Sequence, residues 1–456
     1  MSKKRILMMI NFFPPAAGGG VYRPLSFVKY LSRMSWQVTV VTPEPGGFWI
    51  SDPQLEEAVP SGVRVIRTRS CSGQHILSSL RGGGSGSGSR RSSSGFGLLR
   101  KMGEVFMLPD TYAGWIPFAA RAATRLCGQE SFDAVYSTSP PDSTHLAAGR
   151  VARSTGIPWV ADFRDPWIGL YLRRPPTPMH ALIHRRMEGS VAKADRVIVT
   201  TDWQREALLS RYPDCRVEKI ANGFDEDDFL PSGDEYGDGR DIVSGAESDE
   251  RFTIVHCGML TLGRGTGPFL EGLALFVKRT PEAAGRMKVV FTGARESANE
   301  AWVSKLGLGD IVEFNGNIPH SECVRLERGS HVLLMIKHDD ERYRGLIPGK
   351  LFEYFGARRP VLAVAPEGEA ASLVLDNRRG EVAALGDPGS VATALARMYG
   401  LFMEGRLDES YDLKPLPQYS RRAAAERLAE LLDGLLAERH SRSGPGRVKH
   451  DRSEGQ

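Results

Sequence analysis

Short, continuous apolar runs rich in β-branched residues recur along this chain, each followed by a helical pattern. In the first half they are Ile6–Ile10, Val38–Val41, Val63–Ile66, Ala134–Tyr136, Trp159–Val160 and Val197–Val199. In the second half they are Thr253–His256, Val289–Thr292, Val312–Phe314, Val332–Ile336, Val361–Val364 and Glu381–Ala384. Strands alternating with helices predict parallel sheets covered on both faces. Two such series predict two Rossmann-like α/β domains, with the cleft between them as the natural ligand site. A length of 456 residues suits two domains plus tails.

Several segments break the pattern. The tract Gly82–Gly95 is nearly all glycine and serine, cannot bury apolar surface, and predicts a flexible loop over about 81–97. Ser232–Glu250 is acidic and glycine-rich and follows Asn222-Gly223-Phe224-Asp225, which places the hinge there. The predicted units are 1–212 and 213–416, then an amphipathic helix over 417–438 and a polar, disordered tail over 439–456.

The richest segment is Gly345-Leu-Ile-Pro-Gly-Lys350-Leu-Phe-Glu353-Tyr-Phe-Gly-Ala-Arg-Arg-Pro360 and the apolar run after it. It predicts a loop, a short helix and a buried strand. Free backbone N–H groups at the helix start suit a phosphate. Glu353, one turn in, would repel phosphate and suits hydroxyls, so the pair suits a nucleotide. The plain alternative is that Glu353 only complements the helix dipole.

This run resembles the donor-site segment of retaining glycosyltransferases of family 4, which have the GT-B fold. It is most similar to the bacterial envelope-polysaccharide branch, with its Pro-Ser-Lys-x-x-Glu-Tyr run. The resemblance implies that Glu353 binds the donor ribose and that Gly349, Lys350 and Leu351 line the pyrophosphate. Many members carry a further glutamate eight residues earlier, and here that position is Gly345. The turn Asn222–Asp225 resembles the family's junction turn, and the last helix is expected to cross back to the first domain.

Three other loops carry candidate chemistry. Phe13-Pro-Pro-Ala-Ala-Gly18-Gly19-Gly20-Val-Tyr-Arg23 follows the first strand and lets backbone approach a ligand closely. The resemblance sets Gly18, Gly19 and Gly20 beside the donor phosphates. Arg23 would serve an anionic acceptor or face solvent. In Gly258-Met259-Leu-Thr-Leu-Gly-Arg264-Gly, Met259 replaces the family's arginine and Arg264 stands where its lysine would. Arg264 and Lys350 are then the cations that stabilise the departing diphosphate; the alternative for Arg264 is a solvated loop side chain. Asp162-Phe-Arg164-Asp165-Pro-Trp167 resembles the branch's Asp-x-Arg-Asp-x-Trp run. Asp162 or Asp165 would orient the acceptor hydroxyl or take its proton, with Arg164 beside the acceptor, or else the Arg–Asp pair shapes the loop. His145 ranks below these.

No metal-binding Asp pair is set up, so a metal-independent reaction without a cofactor is expected. The donor substrate would be a nucleoside diphosphate sugar, and the acceptor a saccharide or lipid-linked hydroxyl. Five scattered cysteines without metal-ligand spacing, and a basic start too short in its apolar run for a signal peptide, predict a cytoplasmic protein. Charge is uneven: 27 Lys and Arg stand against 16 Asp and Glu through Cys215, and 32 against 39 after it. The basic half suits an anionic membrane surface or a lipid pyrophosphate. Gly97–Leu108, with Arg100 and Lys101 among large apolar residues, is a candidate membrane contact or an ordinary core helix. No nucleic-acid motif accompanies that charge. Rival readings are a sugar-nucleotide epimerase and a non-catalytic nucleotide-binding partner subunit.

Overall fold

The computed structural model describes residues 3–45, 51–72, 108–166, 177–229, 251–260, 265–294, 298–340 and 343–442. The first domain holds seven parallel strands: β1 Lys4–Met9, β2 Trp36–Pro43, β3 Arg64–Thr68, β4 Ala134–Ser139, β5 Trp159–Phe163, β6 Arg196–Val199 and β7 Val217–Lys219. Their order is β3-β2-β1-β4-β5-β6-β7. The helices are α1 Gly19–Arg33, α2 Ile116–Gln129, α3 Ser143–Thr155, α4 Pro178–Val191 and α5 Asp202–Arg211.

The second domain has six parallel strands, β8 Phe252–Cys257, β9 Met287–Thr292, β10 Val312–Asn315, β11 Val332–Ile336, β12 Val361–Ala365 and β13 Gly380–Ala384. They lie in the order β10-β9-β8-β11-β12-β13. Its helices are α6 Gly267–Arg279, α7 Ala298–Leu306, α8 His320–Gly329, α9 Gly349–Ala357, α10 Glu369–Asp376 and α11 Pro388–Met403. A last helix, α12, spans Arg421–Arg442.

Alternation along each strand sends neighbours to opposite faces. Ile6 and Met8 pack with Val28 and Leu31 of α1 and with Leu428 and Leu432 of α12. Leu7 and Met9 pack with Ala119 of α2 and Ala147 of α3. In the second sheet Ile254 and Leu334 meet Phe269 and Leu273 of α6, while Val255 and Leu333 meet Phe352 and Phe355 of α9. Two Rossmann-like domains thus stand as the periodicity predicts, and α12 returns to the first. The boundary differs: β7 pairs with β6, so the first sheet runs past residue 212. β7 has only three residues, Val217–Lys219, too short a run to read as a strand in the sequence.

Strand order reverses between β1 and β4 and between β8 and β11. Ligands bind outside the carboxyl ends of strands at such switch points. Both glycine-bearing loops of the sequence follow these strands. Between the domains, Phe224 N–H donates to Tyr419 and Arg421 N–H donates to Phe224, so the two crossings run side by side. The glycine-serine tract, Ser232–Glu250, Arg264, Trp167 and all of Gly97–Leu108 except Leu108 lie outside the described residues. Among the described residues no helix is long and apolar enough to cross a membrane.

Candidate functional site

The site is built on α9. Pro348 precedes its first residue, so the missing proline N–H removes nothing the helix needs. Gly349 is exposed, with no atom within 4 Å of where a side chain would begin. Leu351 N–H closes onto Pro348, which leaves the N–H groups of Gly349 and Lys350 at the open end. Leu351 itself is buried in the core.

Glu353 is 8% exposed and ion-paired with Lys350, with Arg421 of α12 at 3.8 Å. Lys350 also donates to Glu327 of α8 at 3.0 Å. Burial alone would raise the Glu353 pKa, but Lys350 and Arg421 outweigh it and hold the carboxyl below its ordinary range. Burial likewise disfavours the Lys350 cation, yet Glu353 and Glu327 keep it charged. Glu327 fares differently: burial pushes it up to about 7 despite Lys350.

The glycine turn of the first domain faces this cluster. Gly18 caps α1 at φ 105°, a backbone that glycine tolerates, and neither Gly18 nor Gly19 has a neighbour where a Cβ would stand. Tyr22, in the first turn of α1, lies 5.4 Å from the His320 ring, with Arg421 5.3 Å over its own ring. Burial raises the Tyr22 hydroxyl pKa, and Glu353 adds to that. His320 is raised by its 3.1 Å bond to Asp228. Tyr22, just after the Gly18–Gly20 turn, thus brings α1 against the Glu353 cluster of the second domain.

The acceptor-side candidates separate. Strand β5 continues through Phe163, so Asp162 lies inside the sheet rather than in the loop after it, with its side chain on the α1 face. It is fully buried and accepts from Arg23 at 3.1 and 2.9 Å, from Tyr136 at 2.6 Å and from Thr138 at 3.1 Å. Arg23 outweighs burial and lowers the Asp162 pKa. The same Arg23 donates to Ile220, Ala221 and Asn222. Arg23 and Asp162 thus tie the first domain to the hinge and are turned away from an acceptor. Arg164 is bound to the carbonyls of Ser139, Pro140 and Gly20, and so props the glycine turn. Asp165 is partly exposed, and burial raises its pKa. It stands near Asp142, itself raised well above the usual range by burial, Asp110 and Asp165. His145 is buried against Ser137 at 2.8 Å, and burial lowers it to about 3. Of the sequence's acceptor candidates, Asp165 alone keeps a carboxylate at the mouth of the first sheet.

Tyr22, Glu327, His320 and Arg421 had no signal in the sequence, because each acquires its role from a partner far along the chain. In the described residues no group of His, Cys, Asp and Glu is arranged to hold a metal ion.

Comparison with known proteins agrees with this architecture. Residues 18–223 match the family described as the glycosyl transferase 4-like domain. A curated relative, D-inositol 3-phosphate glycosyltransferase 2 of Catenulispora acidiphila, is 27% identical over 215 residues, 45% of this chain and 48% of its own length. The match thus spans about half of that relative. Sucrose-phosphate synthase of Thermosynechococcus elongatus superimposes with a TM-score of 0.64 at 17% identity, over 95% of this chain and 100% of that one. Anabaena Alr3699/HepE in complex with UDP gives 0.62 at 14% identity, over 94% of this chain and 100% of that one. These likenesses show that the chain has the two-domain GT-B fold and that its residues 18–223 are similar to the glycosyl transferase 4-like domain.

Proposed function

We propose that the chain is a glycosyltransferase that moves a sugar from a nucleoside diphosphate to a hydroxyl acceptor with retention. The observation that carries this is the α9 start: two open N–H groups at Gly349 and Lys350, with a charge-stabilised Glu353 one turn further in. Ribose hydroxyls bind Glu353, and the pyrophosphate lies on the helix N-terminus facing Gly18–Gly19. Lys350, together with Arg264, stabilises charge on the leaving diphosphate without a metal ion or cofactor. Asp165 orients the acceptor hydroxyl. A saccharide or lipid-linked acceptor of envelope or exopolysaccharide assembly fits the basic first half, which would rest on the cytoplasmic face of an anionic membrane.

UDP is the first donor nucleotide to test, because the similar Anabaena protein holds it. Thermal shift with UDP, GDP and their sugars, followed by product analysis, tests the reading. Free UDP or GDP plus a glycosylated acceptor supports it. An epimerised sugar nucleotide in place of these products would identify the rival enzyme on the same fold. No stabilisation by any nucleotide would end both.

A further inference from the structure

Position 345, where the family's further glutamate would stand, is filled from the opposite domain. Trp203 of α5 lies so close that a Cβ on Gly345 would sit 1.8 Å from its Cε3. No side chain fits there while the indole is in place. Three bonds hold the arrangement. Thr201 Oγ1 donates to the Gly345 carbonyl at 3.0 Å and also caps α5 by accepting from Gln204. Glu369, the first residue of α10, reaches across with Oε1 accepting from Trp203 N–H at 2.6 Å and Oε2 from Asp202 N–H at 3.1 Å. One carboxylate thus meets the N-terminal ends of two helices, one from each domain, and both dipoles favour it. Lys337, donating to the Arg344 carbonyl at 2.8 Å, shapes the loop from below.

The direction of a bound donor gives this contact a role. A nucleotide sugar is linear: ribose, two phosphates, sugar. With ribose at Glu353 and phosphates at Gly349 and Lys350, the sugar lies beyond the start of α9. The loop just before α9 holds Gly345, four residues ahead of Gly349, and Trp203 packs against it. An aromatic plane there offers an apolar wall to a sugar ring.

We propose that Glu369 and Trp203 form a clasp between the domains that closes the sugar end of the donor cleft, so that Trp203 bounds the transferred sugar in place of a carboxylate at position 345. Glu369 is a positioning residue; it acts by seating Trp203. The proposal rests on the glycosyltransferase reading for its substrate, but the clasp itself is testable without substrate.

The experiment compares the native chain with Glu369→Ala, Glu369→Gln and Trp203→Ala. Small-angle scattering of the ligand-free proteins should show a larger radius of gyration for Glu369→Ala. Glu369→Gln, whose amide oxygen still accepts, should stay near native. Calorimetric titration then uses UDP, UDP-glucose and UDP-N-acetylglucosamine. UDP affinity should stay within about twofold in every variant, which also shows that each is folded. Affinity for the better of the two sugar nucleotides should fall by about tenfold in Trp203→Ala and Glu369→Ala. If Glu369→Ala keeps the native radius and both variants keep the native ratio of sugar-nucleotide to UDP affinity, the clasp is refuted. If the native chain binds none of the three ligands, the donor reading fails, and the scattering result alone decides whether the domains are clasped.

Discussion

Lys350 Nζ donates to Glu327 Oε1 across 3.0 Å and so joins α9 to α8 through a carboxylate that solvent does not reach. The same ammonium pairs with Glu353 on its own helix. Glu353 is therefore held by a cation that is itself held, which fixes its carboxylate in one orientation.

The buried partner should show itself in the pH dependence of stability. The Glu327 carboxyl rises from an ordinary 4.5 to about 7 in the fold, where it faces Lys350, Glu353 and Cys323. Between those pH values the folded chain keeps a proton that the unfolded chain has released. Its contribution to stability is full below pH 4.5, declines as pH rises, and is flat above 7. The stability of Glu327→Gln relative to native should therefore rise between pH 4.5 and pH 8. Urea unfolding at several pH values measures this; a difference that does not vary with pH would contradict it.

Removing Glu353 should hurt nucleotide binding more than folding. Glu353→Ala removes charge-assisted hydrogen bonds worth about 1.5–3 kcal/mol, so UDP or GDP affinity should fall about ten- to a hundredfold. Lys350 keeps Glu327 as a partner, so the melting temperature should move little. Native nucleotide affinity with a large drop in melting temperature would show that Glu353 serves only the helix.

The two aspartates should part company. Asp162→Ala leaves the Arg23 guanidinium buried without its counter-charge and should destabilise the chain by about 3–5 kcal/mol. Asp165→Asn should leave the melting temperature near native, because burial already disfavours its charge. Its turnover should fall about a hundredfold. Parallel melts and product assays decide, and normal turnover in Asp165→Asn would remove it from the acceptor side.

Gly345→Ala should be costly only while the indole is present. The new methyl meets Trp203 at a separation no Cβ tolerates, so the single variant should lose about 1–3 kcal/mol. Adding Trp203→Ala should recover much of that, a coupling visible in a double-mutant cycle. Additive losses would mean that the two residues do not touch in solution.

Phosphate recognition should depend on charge and not on a divalent ion. Lys350→Met or Arg264→Met should weaken UDP binding far more than uridine binding. EDTA should leave turnover nearly unchanged. Complete inhibition by EDTA, reversed by magnesium or manganese, would defeat the metal-free mechanism.

The sequence carried everything that depends on near neighbours. Continuous apolar runs predicted the strands other than β7. Pro348 and Gly349 marked the start of α9, and the Gly18–Gly20 turn fell after β1, where the first sheet reverses its order. These signals reside in a few consecutive residues, so they survive without the fold. Asp162 shows the limit. Its neighbours suggested a loop, but β5 runs three residues further than its apolar run and turns the side chain inward.

What only the tertiary structure decided is which charges are already matched. Arg23 meets Asp162 from 139 residues away, Lys350 meets Glu327 from 23, and Thr201 meets the Gly345 carbonyl from 144. A charged side chain in sequence looks the same whether its partner will be a ligand or another side chain. Only folding brings the partner within hydrogen-bond reach, and burial then fixes the protonation state. The sequence by itself thus determined two Rossmann-like domains and the loops at their switch points, where a cleft between them would lie. The tertiary structure withdrew Arg23 and Asp162 from that cleft, set Glu327 behind Lys350, and placed Trp203 over Gly345.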